Sequence, residues 1–354
     1  MKDIAMLAGV SRQAVSATLN GTNNSRVSEE NRQNILRLAK ELNYIPNSAA
    51  RSLKGGETKT IGLLGTPYSS GLNNAIYNEI SDILNTQGYN LLTCQYGHGN
   101  FSATRGLSEL LSRGVDGIVI TISTERRKLE ENQAVPYVYC SHNNTAGFDV
   151  GVDNVKGGYI ATKHLLEHGR RRICFVSPQN LFFDKTKEQG MRNALEEAGC
   201  DHNDDLFLDL RQFGGSTAKV LKRLSELKTD AVCCSNDFVA AKLIAVLCRN
   251  GIKVPDDIAV IGYDGYTFGQ FTAVPLTTVV QPVRPQAEIS VDILMRRIKD
   301  KIIGEEPENI NLTPKLHLGS SCGCGICDDL DRMFTINTYA LLEKDLKVNF
   351  DITI

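Results

Sequence analysis

Along residues 1–45 the apolar positions recur at helical spacing. Ile4, Ala5, Leu7 and Ala8 mark a first short helix, which Gly9 breaks. Ser11 then stands where a side-chain cap is needed, and Val15 and Leu19 follow it one turn apart. After the polar stretch NGTNNSR a third helix is predicted from Ser28, with Glu29 and Glu30 in its first turn. Its apolar face is Ile35, Leu38, Ala39 and Leu42, and Pro46 stops it. Residues 47–56, NSAARSLKGG, form a short Ala-rich segment closed by two glycines, which suits a hinge.

From residue 60 the texture changes. Apolar runs of strand length occur at TIGLL, YNLLTC, DGIVIT, PYVYC, RICFV, AVCC and IAVIGYD. Amphipathic stretches such as NAIYNEISDILNTQG and KEQGMRNALEEAG lie between most of them, each closed by a C-cap glycine. That alternation predicts parallel sheets covered by helices, and such sheets bind ligands beyond the carboxyl ends of their strands. The stretch is long for one sheet, so two similar lobes with a cleft between them are expected. A tail follows from residue 320, ending in a strict alternation of Leu346, Val348, Phe350, Ile352 and Ile354. That pattern reads as a strand with one buried face, able to pair within the domain or with another subunit.

Composition adds a division of labour. The 354 residues are 42% hydrophobic, ample for a sizeable core, and the net charge is −2. Residues 1–60 hold nine Lys/Arg against five Asp/Glu, a balance of +4, whereas the remainder holds thirty against thirty-six, −6. A basic front on an acidic body suits a nucleic-acid module joined to something else. No run of eighteen apolar residues and no charged-then-apolar leader is seen, so the expectation is a soluble, cytoplasmic chain without membrane contact. Of ten cysteines, seven are scattered at 94, 140, 174, 200, 233, 234 and 248, several inside apolar runs where they read as small hydrophobes. The other three cluster at Cys322, Cys324 and Cys327.

Two short helices joined by a glycine turn can be a packing unit or a helix-turn-helix, whose second helix enters the major groove N-terminal end first. Here that tip carries Ser11, Arg12, Gln13 and Ser16. Arg can bond guanine bidentately and Gln adenine, so the tip is chemically able to read sequence. Elsewhere, HLLEH (164–168) fits a metalloprotease pattern, but no third ligand is signalled, and no other catalytic motif appears. An enzyme is therefore not expected, and no cofactor is implied. CGCGIC could give three thiolates to a metal or act in redox sensing, with Asp328 or Asp329 or a partner's cysteine as a fourth ligand; the plain alternative is a small-residue turn.

The stretches DIAMLAGVSRQAVSATLNG, VSEENRQNILRLAKELNYIPNSAARSL, GVDNVKGGYIATKHLLEHGRRRICFV, SNDFVAAKLIAVLCRNGIKVPDDIAVIGYD and PLTTVVQP, in that order, resemble the lactose-repressor/galactose-repressor family of bacterial transcription regulators over about residues 2 to 320. The resemblance implies a helix-turn-helix domain (1–45), a hinge (46–58) and a two-lobed periplasmic-binding-protein-like α/β domain (59–320), with residues 321–354 as an extension. It implies a repressor that binds a pseudo-palindromic double-stranded operator as a homodimer, which the tail could join into a tetramer. A small effector, a sugar, would lie between the lobes; the alternative is a metal- or redox-responsive regulator sensing through the cysteine tail.

Position by position, the family's base-reading residues fall on Arg12 and Gln13. Ser11 and Ser16 match positions touching phosphate or bases, and Asn20 a backbone contact. Asn47–Leu53 matches the hinge helix, with Ala49 and Ala50 in the minor groove and Leu53 the wedge that kinks the central step. For the effector, the resemblance implies Asp264 at a strand end, Asn236 and Asp237 on the rim, and Lys187 where the family's clamping Arg stands, three residues before Gly190. It adds Phe213, Asn74 and Tyr77 as loop contacts. An Asp after a strand is otherwise commonly a cap or turn former. Two departures stand out: only Met1 and Lys2 precede Asp3, so Asp3 would have to cap the first helix unless the start lies upstream, and Ala17 replaces a common Arg or Lys contact.

Overall fold

Ile4, Val15 and Ile35, one from each of the first three helices, are at most 1% exposed and seal a small core with Ala5, Leu38 and Ala39. The helices are α1 (Lys2–Ala8), α2 (Arg12–Leu19) and α3 (Glu29–Glu41). Gly9 closes α1 at φ 65°, a left-handed turn in which Val10 N–H donates back to the Ala5 carbonyl at 3.1 Å; a side chain there would be strained. Ser28 caps α3 by accepting from Asn31 N–H at 3.3 Å. Asp3 does not cap α1, which begins at Lys2 without a side-chain cap; Asp3 instead lies in its first turn.

The computed structural model describes residues 1–19, 27–42, 44, 57–65, 71–95, 102–121, 131, 134–141, 147–178 and 182–324. Contacts divide the chain into two units, Met1–Thr58 and Lys59–Ile354. The second unit opens with β1 (Thr60–Gly65), α4 (Gly71–Thr86), β2 (Asn90–Gln95), α5 (Ala103–Ser112), β3 (Gly117–Ile120), β4 (Tyr137–Tyr139) and β5 (Val150–Val152). Strands β2-β1-β3-β4 form a parallel sheet in that order. The chain continues through α6 (Asn154–Glu167), β6 (Ile173–Ser177), α7 (Phe182–Glu197), β7 (Phe207–Asp209), α8 (Thr217–Glu226), β8 (Ala231–Cys234), α9 (Asp237–Arg249), β9 (Ala259–Asp264) and β10 (Thr277–Val280). It then returns to the first lobe as α10 (Val283–Asp300), β11 (Ile310–Leu312) pairs with β5, and β12 (Lys315–His317) pairs antiparallel with β10. The second sheet runs β12-β10-β9-β8-β6-β7.

Every residue of β6, β8, β9 and β10 is buried, as expected of strands covered on both faces, and this is why β6, β8 and β9 read as near-continuous apolar runs. The chain passes between the lobes after β5, after β10 and between β11 and β12. One ion pair locks the return: Arg297 on α10 (2% exposed) meets Asp149 (1%) at 2.6 Å and donates to the Tyr137 carbonyl at 2.7 Å. Asp149 also accepts from Tyr139 N–H at 2.7 Å.

The seven strands expected from apolar runs are all present, whereas β5, β7, β10, β11 and β12, three or four residues each, carry too little pattern to be predicted. The sheet domain also runs past residue 320. Ser321 Oγ accepts from Thr277 N–H at 2.9 Å and donates to the Val260 carbonyl, and Cys322 is fully buried. The predicted strand at 346–354 lies outside the described residues. No described helix is long and apolar enough to cross a membrane.

Candidate functional site

Val15 and Thr18 bury one face of α2, which turns its N-terminal tip outward. Ser11 caps the helix by accepting from Ala14 N–H at 3.1 Å, and Ser11, Arg12 and Gln13 are exposed. Ser16 and Ala17, a turn further on, are half-buried. The tip thus offers a guanidinium and a carboxamide side by side from a rigid support, the donor and acceptor set that reads base edges. Asn20, Asn47, Ala49, Ala50 and Leu53 lie outside the described residues.

In the second unit, the carboxyl ends of β6, β8, β9 and β10 bring Ser177, Ser235, Asp264 and Gln281 to one end of the sheet. Asp264 is 9% exposed and adopts φ 103°, a conformation that costs about 1–3 kcal/mol in a non-glycine residue. Gln281 Nε2 donates to its Oδ1 at 2.8 Å. From α7, Lys187 (5% exposed) donates to the Ser235 carbonyl at 2.7 Å and holds its ammonium 3.9 Å from the centre of the Tyr263 ring. Tyr263 in turn donates to Asn154 Oδ1 at 2.8 Å. Burial pushes the Asp264 carboxyl up to about 6, against the opposing pull of Lys187 and of the Gln281 amide.

Glycines explain how Lys187 reaches this place. A Cβ on Gly190 would overlap the Val155 carbonyl, and one on Gly158 would overlap the Lys187 carbonyl, so α6 and α7 touch backbone to backbone. Ser235 Oγ and Gln281 Oε1 are buried and bond to no other described protein group. Buried polar atoms are seldom left so, and both sit beside Asp264 and Lys187. Polar acceptors and donors on an otherwise sealed strand end can hold a ligand rich in hydroxyl or amino groups.

Other expected contacts have different duties. Asp237 is fully buried, accepting from Tyr266 N–H and Thr278 Oγ1 at 2.6 Å each, and burial raises its carboxyl well above the usual range. It ties the first turn of α9 to β10 and to the loop after β9, so it is a brace and not a rim contact. Asn236 caps α9 through Val239 N–H at 3.0 Å. Tyr77 is 2% exposed with its hydroxyl 3.0 Å from Thr121 Oγ1, in space left by Gly65, so it is packed inside the first lobe. Asn74 is half-buried near the start of α4, and Phe213 is half-buried against the second-lobe core. A hollow of about 330 Å³ between α8 and α9 is lined mainly by apolar residues such as Leu210, Val220 and Leu243.

Sequence reasoning missed Ser235, Gln281 and Tyr263; the only signal was their place at the ends of AVCC, TTVV and IGYD. It also missed an aromatic group of Phe238, Tyr266 and Phe268, with ring centres 4.7–5.5 Å apart and Phe238 51% exposed. A Cβ on Gly71, at the start of α4, would fall 2.6 Å from the Tyr266 ring, so this group marks where the lobes meet. Cys322 is buried beneath Thr277, Cys324 is exposed beside His164 and His168, and Cys327 lies outside the described residues. HLLEH itself signals no third ligand; the fold brings Cys324 Sγ beside both of its histidines.

Residues 1–47 match the model of bacterial regulatory proteins of the lacI family, and residues 162–322 match a periplasmic binding protein-like domain. The HTH-type transcriptional repressor PurR of Vibrio parahaemolyticus is 35% identical over 314 residues, which span 85% of this chain and 92% of the relative. The transcriptional regulator CelR in complex with cellobiose is 28% identical, with 90% of this chain and 98% of that one covered at a TM-score of 0.65. The lac repressor dimer bound to operator and the anti-inducer ONPF shares the fold at a TM-score of 0.79 and 22% identity, over 90% and 98% of the chains.

Proposed function

The chain belongs to the lacI family of bacterial regulatory proteins, and from that premise we propose that it is a homodimeric repressor whose operator binding is set by a small carbohydrate held at Asp264. The single observation that carries the effector half is Asp264 itself: a buried carboxylate, strained at φ 103°, with Lys187 and Gln281 beside it and spare hydrogen-bonding atoms on Ser235 and Gln281. Strain and burial of a charge are costs that a packing role does not require. A carboxylate accepts two vicinal hydroxyls, and Lys187 and Ser235 can serve further oxygens. The complex of CelR with cellobiose, a related regulator, supports a sugar.

The reading head is α2. Arg12 and Gln13 read base edges, Ser11 and Ser16 position the helix on phosphate or bases, and Asn47–Leu53 acts as the hinge between the units. The effector can act only through different affinities for two lobe arrangements, because a ligand that binds both equally shifts nothing. The test is selection of duplexes from a random pool by the full chain, followed by a thermal-shift panel of mono- and disaccharides with nucleobases as comparison. A two-fold symmetric selected site and a sugar that stabilises the parent but not Asp264→Ala are expected. An unselective duplex pool overturns the DNA half. A nucleobase acting alone through Asp264 overturns the carbohydrate assignment.

A further inference from the structure

His164 and His168 stand one turn apart at the end of α6 and aim both Nε2 atoms at a single sulfur. Cys324 Sγ lies 3.2 Å from His164 Nε2 and 3.1 Å from His168 Nε2, and all three atoms fall within 4.8 Å of one another. A tetrahedral Zn²⁺ with Zn–S near 2.3 Å and Zn–N near 2.05 Å sets its N···S edges at about 3.5 Å. Each sulfur–nitrogen edge thus needs to lengthen by only a few tenths of an ångström to hold an ion.

The geometry is built, not incidental. His168 Nδ1 lies 2.8 Å from the His164 carbonyl, a contact it can make only by donating. That places the proton on Nδ1 and leaves the Nε2 lone pair facing the sulfur, the orientation by which an outer partner prepares a metal-binding imidazole. The sulfur arrives from the other direction on a stitched segment. Gly319 N–H donates to Thr277 Oγ1 at 2.9 Å, Thr277 N–H to Ser321 Oγ at 2.9 Å, and Val260 N–H to the Ser321 carbonyl at 2.8 Å. Gly323 then turns the chain at φ 103° and sets Cys324 on α6. His168 and Cys324 are exposed, which leaves an ion a path in.

We propose that His164, His168 and Cys324 form a binding site for a borderline divalent transition ion of the Zn²⁺ class. Two imidazoles and a thiolate suit such an ion and disfavour Mg²⁺ or Ca²⁺, which require oxygen ligands. On binding, Cys324 Sγ–H loses its proton to solvent as the sulfur–metal bond forms, and both imidazoles bind neutral. The ion would cross-link the segment after β12 to α6, the helix whose Gly158 abuts the backbone of Lys187.

The experiment uses the full chain, reduced and stripped of metal, titrated with Co²⁺ as a spectroscopic probe. Tetrahedral ligand-field bands and a thiolate-to-cobalt charge-transfer band are expected, with one ion per chain displaced by Zn²⁺. Cys324→Ser should abolish the charge-transfer band. His164→Ala and His168→Ala should each weaken binding by more than the roughly 10–100-fold that losing an outer partner costs. Cys248→Ser, an exposed cysteine elsewhere, should change nothing. Because His168 and Cys324 are exposed, metal-free variants at these positions should melt with the parent, while Zn²⁺ raises the melting temperature of the parent alone. A spectrum without thiolate character, a band that survives Cys324→Ser, or His variants that bind as the parent does would overturn the site. So would a reduced chain that takes up no metal and on oxidation forms only a Cys322–Cys324 disulfide.

Discussion

Gln281 Nε2 donates to Asp264 Oδ1 at 2.8 Å, so the residue that ends β9 is held by the residue that follows β10, where the chain passes into α10. The link joins the candidate effector carboxylate to one of the passages between the lobes. A ligand bonded to Asp264 therefore touches a residue that is hydrogen-bonded to one of these passages.

Burial raises Asp264 from 3.8 to about 6. A carboxyl raised in the native state binds its proton more tightly there than in the unfolded chain. Its stabilising contribution is thus full below roughly pH 4 and is lost as pH rises through about 6. Each tenfold difference in proton affinity between the two states is worth about 1.4 kcal/mol. Asp264→Asn should flatten that decline in melting temperature and leave the variant more stable than the parent at neutral pH. Parallel parent and variant curves across that window would show that Asp264 does not titrate as described. A ligand donating to the carboxylate favours its ionised form, so its affinity should fall by up to about tenfold per pH unit below about 6.

Asp237 is held by structural bonds instead. Asp237→Ala leaves the Tyr266 N–H and the Thr278 hydroxyl without their acceptor, at a cost of about 1–3 kcal/mol for each buried donor. Chemical denaturation should show a marked loss of stability in the second unit. A variant as stable as the parent would make Asp237 a ligand contact after all.

Arg12 is exposed, so Arg12→Ala should leave melting unchanged. If its guanidinium reads guanine, the variant should lose about 1–3 kcal/mol of operator affinity and relax preference at one symmetric position. Equal weakening on every duplex would make Arg12 a phosphate contact instead.

Arg297→Ala strips Asp149 of its ion-pair partner where both groups are at most 2% exposed. Breaking such a pair costs about 3–5 kcal/mol, because the remaining charge stays buried alone. Unfolding in urea should move to lower midpoint with the slope preserved. Arg297→Met with Asp149→Leu should recover much of the loss, and a double variant as unstable as the single one would show that the bonds to Tyr137 and Tyr139 matter more than the charges.

Much of the fold was legible because long, regular elements leave periodic traces. The Ser11 and Ser28 caps, the Gly9 turn and the seven longer apolar runs each imposed a local pattern. Strands of three or four residues, such as β5, β7 and β12, are held by neighbours distant in sequence and leave no such trace. The candidate site divides along the same line. Asp264 and Lys187 stood out through family motifs, whereas Ser235 and Gln281 gain their meaning only from strand order. Asp237 and Tyr77 were expected as ligand contacts from the family resemblance, as a rim and a first-loop position; burial gives them structural work. Cys324 lies 160 and 156 residues along the chain from His164 and His168, and the antiparallel pairing of β12 with β10 and the Gly323 turn bring it to them.

The decisive comparison is the affinity of the parent and of Asp264→Ala for a selected duplex, followed by fluorescence anisotropy with and without each sugar and nucleobase of the panel. The parent should bind the duplex with an affinity that one sugar changes severalfold, while Asp264→Ala binds the same duplex equally well in its absence and does not respond. A compound that shifts both proteins by the same factor would place the effector elsewhere and remove Asp264 from the regulatory mechanism.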